Sequence, residues 1–142
     1  MVKNNNTVSY DYTLNEQNFT EVLKTVHNDI DGNIGKTVKL SGYIFTLPDF
    51  KETNFVCGRD MLLDGDEKVV GFLCEYEKAK DFTEGEWIEI TGTFEKGYYM
   101  TDMPVIKVNT ITKITAPPIP AAVSTFLDTP RKEQIPRNFT KM

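Results

Sequence analysis

The stretch of sequence that decides the fold is NFVCGRDMLLDGDEKVVGFLCEY, residues 54–76. Two arms rich in apolar residues flank the Asp64-Gly65-Asp66-Glu67 tip, a pattern typical of a β-hairpin. If Leu63 pairs with Lys68 across this tip, the other pairs follow by counting outward: Phe55 with Tyr76, Cys57 with Cys74, and Arg59 with Phe72. This register predicts that the two cysteines of the chain are direct cross-strand neighbours.

The cysteine pair has two structural interpretations. Directly opposed cysteines form a disulfide where their Cα separation suits the bond, whereas free cysteines are commonly small buried core residues. The free, buried state is favoured for Cys57 and Cys74, and a disulfide is the alternative if the protein is extracytoplasmic. Two thiolates are half the ligands of a structural zinc site, and no CxxC motif or histidine pair supplies the rest. The sequence therefore predicts no metal site and no cofactor.

Acidic residues cluster around the hairpin tip: Asp60, Asp64, Asp66 and Glu67. Their spacing does not match a calcium-binding loop, and Asp-Gly is common in tight turns for conformational reasons. We interpret the cluster as a solvated turn.

A helix is predicted to begin at Asn15 and to end at Asp31-Gly32-Asn33. Asn15 is a suitable N-cap, and Glu16 lies in the first turn, where the helix dipole favours a negative charge. Apolar residues recur at the spacing of one helical face: Phe19, Val22, Leu23, Val26 and Ile30.

The rest of the pattern predicts a mainly β fold, a five-stranded OB-like barrel. Besides the hairpin, strands are predicted at Thr37–Leu47, Glu86–Glu95 and Val105–Ile114, with a turn at Lys96-Gly97. Central glycines (Gly42 and Gly92) mark bends in the first and fourth strands. Since Glu77–Glu84 is too short and polar for the usual helix between strands three and four, the N-terminal helix is expected to cap the barrel.

Three segments follow from this pattern. Residues 1–14 are predicted to be a flexible N-terminal segment, and residues 15–120 to hold the helix and barrel. Residues 121–142 are predicted to be an extended or disordered tail, because prolines interrupt the sequence from Pro117 onward.

Composition excludes several classes of protein. A net charge of −5 argues against binding to a phosphate backbone, which requires clustered basic residues. No apolar run approaches the ~18–20 residues of a membrane span, so direct membrane insertion is not expected. One histidine, His27, and three isolated serines do not assemble an acid–base or nucleophilic site. The sequence therefore predicts a protein without catalytic residues. It does not indicate an oligomeric state.

A candidate binding surface lies in the two loops that OB barrels commonly use, here Pro48–Thr53 and Lys96–Asp102. They carry Phe50, Tyr98, Tyr99 and Met100 towards one rim, with Arg59 expected nearby. Aromatic rings and an arginine suit a protein partner, but they also suit stacking against a nucleic-acid base or a sugar ring. A third interpretation is that some of these rings only cap the barrel.

Much of the chain, from Leu23 to Pro120, resembles the soluble C-terminal domain of a bacterial permease small-subunit family of the YcgQ type, a domain of unknown function. The resemblance rests on these motifs: Gly35–Val38, Ser41–Ile44, Phe55-Val56, Gly58-Arg59, Gly71-Phe72, Trp87–Thr93, Pro104–Val108 and Pro117-Pro118. It implies a binding module of the cell envelope, an extracytoplasmic location, and a membrane permease subunit as partner.

The chain departs from that family in two ways. Members often carry adjacent cysteines where this chain has Leu63-Asp64, so no metal or redox role is inherited from them. They also have upstream membrane helices, which these 142 residues do not include. The chain is similar as well to small OB domains of bacterial lipoproteins that resemble tRNA-anticodon-binding domains. That similarity rests on Leu63-Asp64-Gly65 and on Glu84–Trp87.

Overall fold

The computed structural model of the chain describes residues 9–63, 65–115 and 139–140. They form seven strands, two α-helices and one 3-10 turn, in this order: β1 Tyr12–Thr13, α1 Phe19–Asn28, α2 Ile30–Asn33, β2 Thr37–Phe45, β3 Asn54–Leu63, β4 Asp66–Glu75, the 3-10 turn Ala79–Asp81, β5 Trp87–Tyr98, β6 Asp102–Lys113 and β7 Phe139–Thr140. Among the described residues, no helix combines the length and the apolar character needed to cross a membrane.

Five of the strands close into a barrel in the order β2-β3-β4-β6-β5, and β5 pairs back onto β2. The pairing is antiparallel except between β4 and β6, which run parallel. The predicted five-stranded OB-like barrel is confirmed, and only a short 3-10 turn occupies the segment between β4 and β5.

Gly42 lies next to the point where β2 changes its pairing partner from β5 to β3. The strand pairs with β5 over Thr37–Tyr43 and with β3 over Tyr43–Phe45. A Cβ atom at Gly42 would lie 2.5 Å from the carbonyl oxygen of Gly58, so a side chain there would force β2 and β3 apart. The bend predicted at Gly92 coincides with a break in the β5–β6 register between Thr91 and Gly92.

The predicted hairpin exists, but its predicted register is wrong by two residues. Leu63 pairs with Asp66, which leaves two residues between the strands, and Gly65 has φ of +83°. Two-residue turns of this kind match the right-handed twist of the strands and favour Asp-Gly. The observed pairs are therefore Phe55 with Cys74, Cys57 with Phe72 and Arg59 with Val70. The cysteines are diagonal neighbours, and both are free and buried.

The turn predicted at Lys96-Gly97 is also wrong. β5 continues to Tyr98, which pairs with Asp102, and Gly97 pairs with Met103 inside the ladder. A Cβ atom at Gly97 would lie 2.3 Å from a methyl group of Val105, so this glycine makes room for a cross-strand side chain. Met100, with φ of +66°, adopts the left-handed conformation in the connection.

The helix begins four residues later than predicted. The side-chain oxygen of Asn15 accepts hydrogen bonds from the backbone N–H groups of Gln17 and Asn18, which folds this segment into a turn ahead of α1. The helical pattern then divides into α1 and the short α2, which the sequence did not predict as a separate helix. α1 buries Phe19, Leu23 and Val26 against the barrel interior, as expected for a helix that caps it.

Both terminal predictions concern residues that the structure describes only in part. Within residues 1–14, Tyr12–Thr13 pair in parallel with β2 and Leu14 is buried, so this part is ordered against the barrel. The predicted tail, residues 121–142, lies outside the described residues except for β7. That short strand pairs in parallel with β4.

The strands carry two buried apolar clusters on opposite faces. The interior cluster lies inside the barrel and includes Leu40, Cys57, Phe72, Cys74 and the buried face of α1. The second lies on the outside of β2, β3, β4 and β6, where alternate residues point away from the interior. We call it the outer cluster, and its members are Tyr43, Phe45, Val56, Val69, Leu73, Met103 and Val105.

Candidate binding surface

The β2–β3 and β5–β6 connections meet at one rim of the barrel. The rings of Phe50 and Tyr99 pack edge to face, with their centroids 5.2 Å apart. The Tyr99 hydroxyl donates to the carboxylate of Asp49 at 3.0 Å. Partial burial and the Asp49 carboxylate raise the pKa of Tyr99, so its hydroxyl remains a neutral donor at physiological pH. The predicted proximity of these loops is confirmed.

Tyr98 and Met100 project from this rim into solvent. Their exposed fractions are 72% and 79%, well above those of the other large apolar side chains that the structure describes as exposed. Tyr98 is the last residue of β5, and the left-handed conformation of Met100 shapes the tip between the strands. The rim thus combines two rings packed on each other with two large side chains that contact solvent.

A groove of about 280 Å³ adjoins the rim, between the β2–β3 connection and the segment after β4. Phe50 lines this groove as well as contacting Tyr99, so it links the two features. The apolar lining residues are Ile44, Leu47, Phe50, Phe55, Ala79 and Phe82. Lys51 and Lys80 are balanced by Glu52 and Glu84, so the groove carries no excess of positive charge.

Arg59 does not present its guanidinium at the rim. Its side chain is buried on the interior side of β3, where it donates to the Glu16 carboxylate at 2.9 Å and to the Ser41 hydroxyl at 2.8 Å. It also lies over the rings of Phe19 and Trp87, at 5.5 and 5.6 Å. The arginine ties the segment ahead of α1 to the barrel. These contacts of Arg59 therefore stabilise the fold.

Asp60 is likewise not part of a solvated hairpin tip. It is 5% exposed and accepts a hydrogen bond from the buried Tyr43 hydroxyl. Asp64 lies outside the described residues, whereas Asp66 is exposed. The interpretation of a solvated acidic turn is wrong for Asp60, because the alternation of β3 points its side chain onto the covered outer face.

The two cysteines lie in the barrel interior, away from solvent. Burial raises the pKa of Cys57 to about 12, and it raises the pKa of Cys74 well above its ordinary value. His27 packs flat against Phe72 with a centroid separation of 5.4 Å, and its Nδ1 is 2.8 Å from the Leu23 carbonyl oxygen. His27 is therefore half-buried. Within residues 9–63, 65–115 and 139–140, no group of three potential metal ligands comes together.

Sequence reasoning missed the residues that support the rim from below. Asp49 fixes Tyr99, and Phe82 lines the groove from a segment read only as a polar link. The signal for Phe82 was an aromatic residue in that polar segment. Asp49 gave no signal, since an aspartate after a proline is ordinary in a turn.

Comparison with known proteins identifies a family and also finds matches among solved structures. The family model described as the DUF1980 C-terminal domain matches residues 2–121. No curated protein matches the sequence. Among 32 matching chains of solved structures is the small single-stranded DNA-binding protein from Streptomyces coelicolor. The two are 10% identical, the match covers 56% of this chain and 94% of the other, and the TM-score is 0.35. These values are too low for the match to bear on the ligand of this chain.

Proposed function

We propose that this chain, which belongs to the DUF1980 C-terminal domain family, is a non-catalytic binding module that docks onto a protein partner. The docking surface is the rim formed by Phe50, Tyr98, Tyr99 and Met100. The setting is a bacterial envelope or permease-like system, and the partner is a membrane subunit of it. This setting comes from the sequence resemblance to permease small subunits, and the rim geometry supplies the surface.

The observation that carries the proposal is that two of the four rim residues support the two that are exposed. Phe50 and Tyr99 pack on each other and on the outer cluster, and Asp49 fixes the Tyr99 hydroxyl. This base holds the tip that exposes Tyr98 and Met100. Large side chains on a rigid support bind with little loss of conformational entropy, and tyrosine is enriched among the residues that dominate protein interfaces.

The surroundings of the reactive groups support a non-catalytic role. Both thiols are buried with raised pKa values, so neither is a ready nucleophile. The single histidine is half-buried, stacked on Phe72 and close to the Leu23 carbonyl group.

The second candidate is binding of an oligosaccharide or single-stranded nucleic acid at the same rim. The exposed ring of Tyr98 is suited to stacking, and the adjoining groove offers Lys51 and Lys80. Since Glu52 and Glu84 balance these lysines, a neutral sugar fits the groove better than a phosphate chain.

The test compares the Tyr98→Ala/Met100→Ala double variant with an Ile34→Ala/Leu62→Ala control. The control also removes two exposed apolar side chains, 48% and 58% exposed, from positions outside the β2–β3 and β5–β6 connections. Photo-crosslinking on membranes of the native host identifies the bound subunit, and titration with that purified subunit gives its Kd. We expect the rim variant to weaken binding by at least about tenfold and the control to leave it unchanged.

Two results would contradict the docking proposal. Equal affinity of both variants for the subunit would remove the rim from the interface. Titration with oligosaccharides and a single-stranded oligonucleotide tests the second candidate. Oligonucleotide binding that falls steeply with rising salt and is lost in the rim variant would favour nucleic acid, because phosphate contacts release counterions.

A further inference from the structure

The groove that adjoins the rim has an apolar lining that a ligand could cover. Three of its lining residues are buried: Ile44, Phe55 and Ala79. Two aromatic rings, those of Phe50 and Phe82, line it from opposite sides and are only partly buried. Small-molecule sites are typically concave and mostly apolar, with a few polar groups that orient the ligand. The groove has this character.

Backbone hydrogen bonds hold both sides of the groove. In the β2–β3 connection, the N–H group of Phe50 donates to the carbonyl oxygen of Leu47 at 3.0 Å. On the opposite side, the N–H group of Gly85 donates to the carbonyl oxygen of Ile44 at 2.8 Å, which ties the segment after β4 to β2. The shape of the groove therefore exists before a ligand binds, so binding loses little conformational entropy of the protein.

Each side of the groove carries one lysine and one glutamate. Lys51 and Glu52 belong to the β2–β3 connection, whereas Lys80 and Glu84 belong to the segment after β4. None of these four side chains takes part in an ion pair with a residue that the structure describes. Unpaired charges of both signs around an apolar groove are complementary to a ligand that also carries both charges, because each ligand charge can pair with a side chain of opposite sign.

We infer that the groove is a binding site for a small zwitterion with an apolar body, namely a free amino acid with a large apolar side chain. The ligand's carboxylate pairs with the lysines, its ammonium group pairs with the glutamates, and its side chain lies on the apolar lining. The volume of about 280 Å³ is just below the ~300–1,000 Å³ of sites for drug-sized ligands, which suits a ligand as small as one amino acid. The site shares Phe50 with the rim, but its four charged residues are not rim residues, so the assignment stands or falls separately from the proposed docking.

Titration of the isotope-labelled, full-length chain with L-phenylalanine tests the site. We expect a saturable shift of the amide resonances of residues 51–54 and 79–84, and no shift at Thr91 and Thr110, which do not line the groove. 2-Phenylethylamine lacks the carboxylate and 3-phenylpropionate lacks the ammonium group. Each should bind at least about tenfold more weakly than L-phenylalanine, the loss expected for one charge-assisted hydrogen bond. Unchanged resonances of residues 51–54 and 79–84 at millimolar L-phenylalanine would overturn the assignment.

Two further ligands test other occupants of the groove. N-acetyl-phenylalanine amide keeps the ring but carries no charge, and it should also bind at least about tenfold more weakly than L-phenylalanine. Equal affinity for the two would overturn the zwitterion and leave the groove as a pocket for an apolar side chain of a protein partner. Cellobiose represents a neutral sugar, and saturable binding of cellobiose but not of L-phenylalanine would assign the groove to a saccharide instead.

Two charge-removing variants assign each ligand charge to its partners. Lys51→Gln/Lys80→Gln should weaken the binding of L-phenylalanine and of 3-phenylpropionate, but not that of 2-phenylethylamine, which has no carboxylate. Glu52→Gln/Glu84→Gln should weaken the binding of L-phenylalanine and of 2-phenylethylamine, but not that of 3-phenylpropionate. We expect the affinity for L-phenylalanine to fall at least about tenfold in each variant. Unchanged affinity for L-phenylalanine in both variants would overturn the assignment.

Matched controls remove the same charges from positions that do not line the groove: Lys96→Gln/Lys107→Gln and Glu75→Gln/Glu95→Gln. Both controls should bind L-phenylalanine as the wild type does. Losses as large as those of the groove variants would mean that net charge, rather than contact in the groove, governs binding, and the site would be wrong.

Discussion

The same strands bury two apolar clusters in different ways, one inside the closed barrel and one on its outside. The interior cluster is enclosed by the closed ladder β2-β3-β4-β6-β5 and by α1. The outer cluster lies outside that ladder, and its outer cover consists of the partly buried residues that pack against it: Leu47, Phe50, Trp87 and Tyr99. Hydrophobic burial stabilises both clusters.

The rim and the short strand β7 both adjoin the outer cluster. Phe50 and Tyr99 of the rim pack against it, and β7 runs beside its Val69. The cysteines and Arg59 belong to the other side of the strands, where they contribute packing and hydrogen bonds. The candidate binding residues Phe50 and Tyr99 therefore lie on the outside of the barrel.

The largest effect is expected for the interior thiols, whose alkylation rate should differ strongly between the native and the unfolded chain. At pH 8 a thiol with the pKa of Cys57, about 12, is ionised in about one molecule in ten thousand, so native labelling should be about a thousandfold slower than in the unfolded chain. Intact mass after alkylation without reductant should give no adduct in native protein and two in urea. Rapid native labelling would show that the interior is accessible, whereas no labelling in urea would establish a disulfide.

A matched pair of leucine truncations compares the clusters directly. Leu40 lies in the interior cluster at 1% exposure and Leu73 in the outer one at 6%. We expect Leu40→Ala to lower the free energy of unfolding by about 4 kcal/mol and Leu73→Ala by about 2 kcal/mol, because the outer cover can settle into the space. Urea denaturation measures both, and Leu62→Ala, at a 58% exposed position, should change stability by less than about 0.5 kcal/mol. Equal losses for Leu40 and Leu73 would mean that the outer cover is as firm as the barrel.

Removing the buried hydrogen bond between Tyr43 and Asp60 should lower the stability by a smaller amount. Tyr43→Phe removes the hydroxyl that donates to the buried Asp60 carboxylate, at an expected cost of about 1.5 kcal/mol. Tyr98→Phe is the control, since that hydroxyl lies on a 72% exposed side chain. Thermal unfolding of both variants measures the difference, and equal stabilities would mean that the Tyr43 hydroxyl contributes nothing net.

Removing the ion pair between Arg59 and Glu16 should have the smallest effect on stability. This effect should depend on pH. The hydrogen bond from Arg59 lowers the pKa of Glu16 below its ordinary value of 4.5, so the ionised carboxylate stabilises the folded state. This contribution is complete above the unfolded pKa and is lost as pH falls through the folded one. Because Glu16 is 37% exposed, Glu16→Gln should cost less than about 1 kcal/mol at pH 7.

Urea titrations at several pH values check this sign. The difference between wild type and Glu16→Gln should shrink as the pH approaches 3. Glu21→Gln on α1 is the matched control for the loss of one negative charge. A difference that grows towards acid pH would contradict the assignment of the ion pair.

Sequence reasoning succeeded where the pattern is local and periodic. Alternation identified all five barrel strands, and the irregularity at Gly92 was correctly predicted. It failed on the hairpin register for a physical reason. A slip of two residues keeps every side chain on its original face, so the apolar pattern fits both registers equally well.

The candidate site divides in the same way. Phe50 and Tyr99 were correctly brought together, because loops at one end of a barrel are close neighbours by topology. Arg59 was expected near the rim, yet its partner Glu16 lies 43 residues earlier in the chain. No local pattern encodes an ion pair of that separation, and the same holds for Asp49 with Tyr99, which are 50 residues apart.

Periodicity and glycine sterics were enough to predict the class of fold, the succession of strands along the chain and the irregularity at Gly92 in β5. The fold in three dimensions sets which strands are neighbours in the sheet, which residue opposes which, and that β7 returns to the edge of β4. Those choices depend on contacts between residues far apart in the chain, whose energies no single segment contains.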